Sequence, residues 1–190
     1  MVGLYDPDQE KSSCGVGFLT RKDGRQTHEV IRKLHEALCA VPHRGGMSSE
    51  GVGDGAGVNL DLSLRFFRRV TGRPDLDLGV FGVGNFFLPN DPAFHAEAEQ
   101  VVRQALADRG FDILVEREVP VDDTAIRPAA VKYQLPIRQL VFATSNGGPL
   151  SDRSIHDALM AIEEVAYTRP ELQGMYPLSL SARTQVLKGG

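Results

Sequence analysis

Three groups of residues have types and spacings that could do chemistry. Cys14 opens the run Cys14-Gly15-Val16-Gly17-Phe18-Leu19-Thr20, directly after a polar stretch that carries Asp6, Asp8, Glu10 and Lys11. One reading makes Cys14 a small buried hydrophobe, the usual role of a free cysteine. The other has the Ser13–Cys14 peptide bond cut. Cys14 would then carry both its thiol and a free α-amine, whose pKa of about 7.7–8.0 lies close to the thiol's, about 8.5. One residue would supply nucleophile and base. The second group is the long polar, glycine-rich stretch from His43-Arg44-Gly45 to Gly53-Asp54-Gly55-Ala56-Gly57. Long irregular segments in compact domains often carry function. The third is His35-Glu36-x-x-Cys39, two metal-ligand types one helical turn apart.

Two other readings of these groups are weaker on context. Gly51-x-Gly53-x-x-Ala56 fits a loose dinucleotide fingerprint, but that turn needs a strand before it and a helix after it. Here a polar loop precedes and an alternating strand follows. The glycines read instead as a tight loop with close backbone approach. His35 and Cys39 lack an obvious third ligand, so no metal site is assigned.

The elements that would position these groups follow from periodicity. A buried strand is expected from Cys14 to Thr20, then a turn at Asp23-Gly24. Val30, Ile31, Leu34, Leu38 and Val41 make a helical stripe over 27–41, with Thr27 as its cap and Pro42 as its stop. Strands are expected over 58–62, 79–88, 111–121 and 137–144, and strand-like residues over 175–187. A short helix fits 64–70. Pro92 to Arg109 is a helix with Phe94, Ala98, Val101, Val102, Ala105 and Leu106 on its core face and Gly110 just past its end. Residues 124–134 read as a weak helix broken near Pro128. Residues 151–167 make a second strong helix, with Ile155, Leu159, Ile162 and Val165 inward. The mixed order lacks a strict βαβ rhythm and favours a layered α+β fold.

Composition sets bounds on partners. The chain has 190 residues, 42% of them hydrophobic, and a net charge of −4. That length can bury a sizeable core. Without a basic block, nonspecific nucleic-acid binding is disfavoured. No apolar run reaches the roughly 20 residues that span a bilayer, and the first 13 residues have no apolar signal core. Two cysteines are too few for a disulfide framework, so a reduced, cytoplasmic setting is expected.

Ordered blocks along nearly the whole chain resemble one family. They are Gly3-Leu4-Tyr5-Asp6-Pro7, Cys14-Gly15-Val16-Gly17-Phe18, Ala37-Leu38-Cys39, His43-Arg44-Gly45 and Gly53-Asp54-Gly55-Ala56-Gly57. Phe87-Leu88-Pro89, Arg117-Glu118-Val119-Pro120-Val121, Ile137-Arg138-Gln139 and Ser179-Leu180-Ser181-Ala182-Arg183-Thr184 follow in the same order. Together they resemble the start of the glutamate synthase large subunit, its class II glutamine amidotransferase (glutaminase) domain. The resemblance implies an Ntn-hydrolase-like layered αββα sandwich, here incomplete. It implies that residues 1–13 are a leader and 14–190 part of the domain, with Cys14 becoming the N-terminal nucleophile. Arg44 would lie near that nucleophile, and Gly53, Asp54 and Gly55 would shape the substrate loop. L-Glutamine is the implied substrate, with the rest of a glutamate synthase or a small subunit as partner. FMN and an iron–sulfur cluster are expected only in a full-length enzyme, none in this chain.

The sequence also departs from that pattern. Ser12-Ser13 stand where the family carries Asp-Ala. The family's Arg-Phe-Ser-Thr and Asn-Gly-Glu-Ile-Asn blocks, which hold glutamine and form the oxyanion hole, do not occur in these 190 residues. Asn146-Gly147-Gly148 stands in the wrong block and reads as a turn. An oxyanion-hole donor contributes roughly 10²–10³ in rate, so these residues alone are expected to show little glutaminase activity. The alternative reading is a non-catalytic remnant, or one half of a split enzyme, that folds or associates without its own turnover.

Overall fold

A computed structural model describes residues 16–40, 55–122, 124 and 126–189. The chain divides into two compact units, 1–58 with 123–132 and 188–190, and 59–122 with 133–187.

The larger unit is built on a four-stranded sheet in the order β3–β4–β2–β5, all neighbours antiparallel. Its strands are β2 (Phe81–Phe87), β3 (Phe111–Glu118), β4 (Ile137–Thr144) and β5 (Tyr176–Ser181). Both faces of β2 and β4 are covered, so Phe81 to Phe86 and Gln139 to Phe142 are buried, most of them apolar. The fold is thus α+β, as the mixed element order implies.

One face is covered by two helices, α3 (Pro92–Ala107) and α5 (Asp152–Thr168). Their stripes, Ala98, Val102, Ala105 and Leu106 with Ile155, Ala158 and Ile162, pack on Phe86, Leu140, Phe142 and Leu180. Both helices are capped by their own sequence. Asp91 Oδ1 accepts hydrogen bonds from the Ala93 and Phe94 amides at 2.9 and 3.4 Å. Ser151 Oγ accepts from Ser154 N at 3.4 Å. Gly110 follows α3 with φ 73°, a conformation that favours glycine at a helix end. Phe94, expected inward, is instead 37% exposed in the first turn of α3.

The opposite face of the sheet is covered by α2 (Leu64–Thr71) and a two-stranded sheet, β1 (Ala56–Asp61) with β6 (Thr184–Gly189). Leu62, Phe67 and Leu76 pack there on Phe81, Val83 and Val141. In β1 the period-two pattern appears as half-buried Val58 and Leu60 between exposed neighbours. The 175–187 stretch is two strands, β5 and β6. Ser181 Oγ accepts from the Arg183 and Thr184 amides at 3.0 and 3.3 Å where the chain turns between them.

In the smaller unit, α1 (His28–Cys39) starts after Thr27 as expected, but Thr27 makes no side-chain cap and none of the helix's residues is buried. The strand expected from Cys14 is not formed over 16–20, where Val16 and Phe18 are 97% and 93% exposed. An apolar run becomes a strand only when a neighbouring strand takes its backbone groups. Pro128 does not break a helix but opens the short α4 (Pro128–Val131), where its fixed φ suits the first turn. No helix among the described residues is long and apolar enough to cross a membrane.

Candidate functional site

Cys14, Arg44, Gly53 and Asp54 lie outside the described residues. Gly55 is described, and stands at φ 80° immediately before β1. That left-handed backbone is open to glycine and costly for a side-chain-bearing residue, so the last glycine of the loop has a conformational reason of its own.

The other chemistry-bearing groups can be placed. On α1 the Cys39 thiol lies 3.9 Å from both ring nitrogens of His35, as i, i+4 spacing dictates. Glu36 turns away to pair with Arg32. Among the described residues, no three or more of His, Cys, Asp and Glu come together in a metal-holding group. Asn146-Gly147-Gly148 is a turn: Gly147 has φ 71° and Gly148 N donates to Asn146 Oδ1 at 2.9 Å.

The structure also builds a polar row that residue types alone do not announce. Arg117, Gln139 and Asn85 stand opposite one another on β3, β4 and β2. Arg117 Nε donates to Gln139 Oε1 at 2.8 Å. Gln139 Nε2 donates to Asn85 Oδ1 at 2.9 Å and to Gln185 Oε1 of β6 at 3.1 Å. Asn85 Nδ2 then reaches the Val186 carbonyl at 2.9 Å. Asn85 and Gln139 are each 1% exposed. β6 is therefore joined to the four-stranded sheet by side chains. The Arg117 guanidinium also lies over the Phe66 ring, 5.3 Å from its centroid. Burial pulls its pKa below the usual arginine value. The signal available in sequence was the placing of Arg117 and Gln139 in two of the family-like blocks.

On the helical face a second polar group closes the gap between α3 and the sheet. Glu99 pairs with Arg138 at 2.6 Å and Arg103 at 3.0 Å, and Arg103 also pairs with Glu116 at 2.7 Å. Burial pushes the Glu99 carboxyl up, but the Arg138 and Arg103 cations outweigh it and hold the group below the ordinary glutamate value. Arg103 is held above its usual value, chiefly by its hydrogen bond to Glu116.

A family model for class-II glutamine amidotransferases matches residues 14–190, beginning at Cys14 itself. The chain belongs to that family. Its members have the Ntn-hydrolase fold, and the antiparallel sheet with helices on one face and a second small sheet on the other is this chain's form of it. Among its relatives is a glutamate synthase [NADH] of Saccharomyces cerevisiae, 36% identical over 146 residues, covering 72% of this chain and 7% of the relative. The large chain of glutamate synthase [NADPH] of Azospirillum brasilense is 33% identical over 99% of this chain and 13% of its own length. The corresponding chain of Bacillus subtilis is 31% identical over 98% of this chain and 12% of its own length. This chain is a glutamine amidotransferase domain of glutamate-synthase type and spans about an eighth or less of these relatives.

Proposed function

We propose that this chain hydrolyses the side-chain amide of L-glutamine to glutamate and ammonia, as the glutaminase segment of a glutamate synthase that makes glutamate. The observation that carries the reading is the family match starting at Cys14, the residue whose thiol and prospective α-amine suit an N-terminal nucleophile. Residues 1–13 are removed. The freed α-amine accepts the thiol proton, and the thiolate attacks the amide carbon. The tetrahedral oxyanion collapses with breakage of the C–N bond, and the departing nitrogen takes the proton and leaves as ammonia. Water then cleaves the thioester, releasing glutamate and restoring the thiol.

Arg44 orients the N-terminal cysteine and faces the developing negative charge with its planar guanidinium. The loop ending at Gly55 shapes the glutamine site. The remaining length of a glutamate synthase, or a small subunit, is the partner that consumes the ammonia. FMN and iron–sulfur chemistry belongs to that remaining length, and the reaction takes place in the cytoplasm.

Intact-mass analysis of the protein purified from its own cells tests the nucleophile: the mature chain begins at Cys14. Glutamine-dependent ammonia release by that protein falls by at least about 10³-fold in Cys14→Ala. A retained leader, or activity indifferent to the substitution, overturns the reading in favour of a non-catalytic remnant.

A further inference from the structure

The described carboxylates leave one group of arginines without a partner. Most arginines of the larger unit are paired: Arg103 with Glu99 and Glu116, Arg138 with Glu99, Arg169 with Glu97 and Glu171, Arg73 with Asp75. Helix α2, Leu-Arg-Phe-Phe-Arg-Arg-Val-Thr, carries three arginines and no acid. Arg68 is half-buried, gives its Nε to the Leu76 carbonyl at 2.8 Å and lies near enough to Asp75 to lower that carboxyl. Arg65 and Arg69 are exposed, one turn apart, with no carboxylate paired to either among the described residues. Phe66 is the i, i+3 neighbour of Arg69, and over its ring stands Arg117 of β3. A stripe therefore runs Arg117, Phe66, Arg69, Arg65.

Among the described residues Arg117 has no acid partner, for a reason of geometry. Glu116 and Glu118, its neighbours in β3, point to the opposite face of the sheet, where Glu116 meets Arg103. Gln139 occupies Nε alone, which leaves the Nη edge for a further acceptor. Burial without a carboxylate beside it depresses the Arg117 pKa. This stripe is a local excess of positive charge on a chain of net charge −4.

We infer that the Arg65–Arg69–Arg117 stripe is a docking surface for a carboxylate-bearing segment of polypeptide. Complementarity of charge fixes the sign of the partner, and two further features fix its class. A half-dehydrated guanidinium stacked on an aromatic ring presents a planar fork that suits a single carboxylate. Tracking a nucleic-acid backbone instead takes many cations spread along a groove, whereas here three stand within one helix face and an adjoining strand. The surface does not depend on the glutaminase reading.

The test is titration of a fluorescein-labelled hexaglutamate peptide into the purified chain, followed by anisotropy at low salt. Saturable binding is expected, weakened on the order of tenfold by Arg65→Glu/Arg69→Glu and weakened at physiological salt. Both positions are exposed, so the double variant keeps the fold, which circular dichroism checks. Arg153→Glu, on a side chain 91% exposed on α5, leaves binding unchanged. Absence of peptide binding overturns the inference, as does equal binding by the double variant. So does tighter stripe-dependent binding of oligothymidylate or of phosphatidylserine vesicles.

Discussion

Gln139→Met tests whether the polar row is a structural necessity or an incidental set of contacts. Methionine matches glutamine in length and lack of branching but can neither donate nor strongly accept. Three hydrogen bonds disappear together: from Arg117, to Asn85 and to Gln185. Their costs differ. Arg117 is half-exposed and recovers a water at its Nε. The carbonyls of Asn85 and Gln185, at 1% and 8% exposure, cannot. Each buried acceptor left without a donor costs about 1–3 kcal/mol. A buried methionine returns about 1–2 kcal/mol through the added apolar burial. The net loss is about 1–4 kcal/mol, a sizeable part of the roughly 5–15 kcal/mol that holds a domain of this size together. Urea unfolding followed by circular dichroism reads it as a fall in midpoint with the slope unchanged. A loss below about 1 kcal/mol would refute the reasoning, because it would mean that water or local relaxation satisfies Asn85 and Gln185.

Two further substitutions probe the helical face of the sheet. Gly82→Ala drives a Cβ into the Phe142 ring, well inside van der Waals contact, and that ring is completely buried. Overpacking of this kind costs about 1–3 kcal/mol, and thermal unfolding shows it as a lower Tm, with an unchanged Tm counting against the packing described. Glu99 sets a pH dependence. Its folded pKa lies below the unfolded value, so its contribution is complete above the ordinary glutamate pKa of about 4.3 and fades as the pH falls through the folded value. Glu99→Gln flattens that acid limb of stability while lowering stability at neutral pH. Parallel acid limbs in the two proteins would contradict the assignment.

Much of the scaffold was legible in sequence because its elements satisfy local and global demands together. β4 forms over Ile137–Thr144 as read, and α5 starts at its Ser151 cap. Gly110 takes the positive φ expected past α3. The polar row was not legible. A polar residue in a strand ordinarily signals a solvent face, yet both faces of β2 and β4 are covered, and Asn85 and Gln139 face a second layer. The cross-strand register that brings Arg117, Gln139 and Asn85 together depends on a bulge between Ile113 and Val115, which no local pattern encodes. Gly82 makes room for Phe142 and Gly84 for Phe86 and Leu180, a fit that shows only once the strands are paired. For the site, residue type and block order pointed to Cys14, Arg44 and the loop to Gly55. Of these, Gly55 is among the described residues, and its positive φ is the part of that reading that has a stated conformational reason.

The strand order β3–β4–β2–β5 has a consequence for the making of the protein. β2 sits at the centre of the sheet, but both of its neighbours come later in the chain, β4 after about 50 residues and β5 after about 90. On the ribosome, β2 emerges as a strongly apolar strand with neither edge occupied. The first neighbour becomes available when Thr144 clears the exit tunnel, the second only when Ser181 does. At elongation rates of about 5–20 residues per second, β2 waits several seconds for a complete sheet. During that interval its unpaired edges are open to other nascent chains. Slow translation between β2 and β5 lengthens this exposure. Once β5 is in place both edges of the strand are occupied, and β6, made directly afterwards, brings Gln185 and the Val186 carbonyl to Gln139 and Asn85.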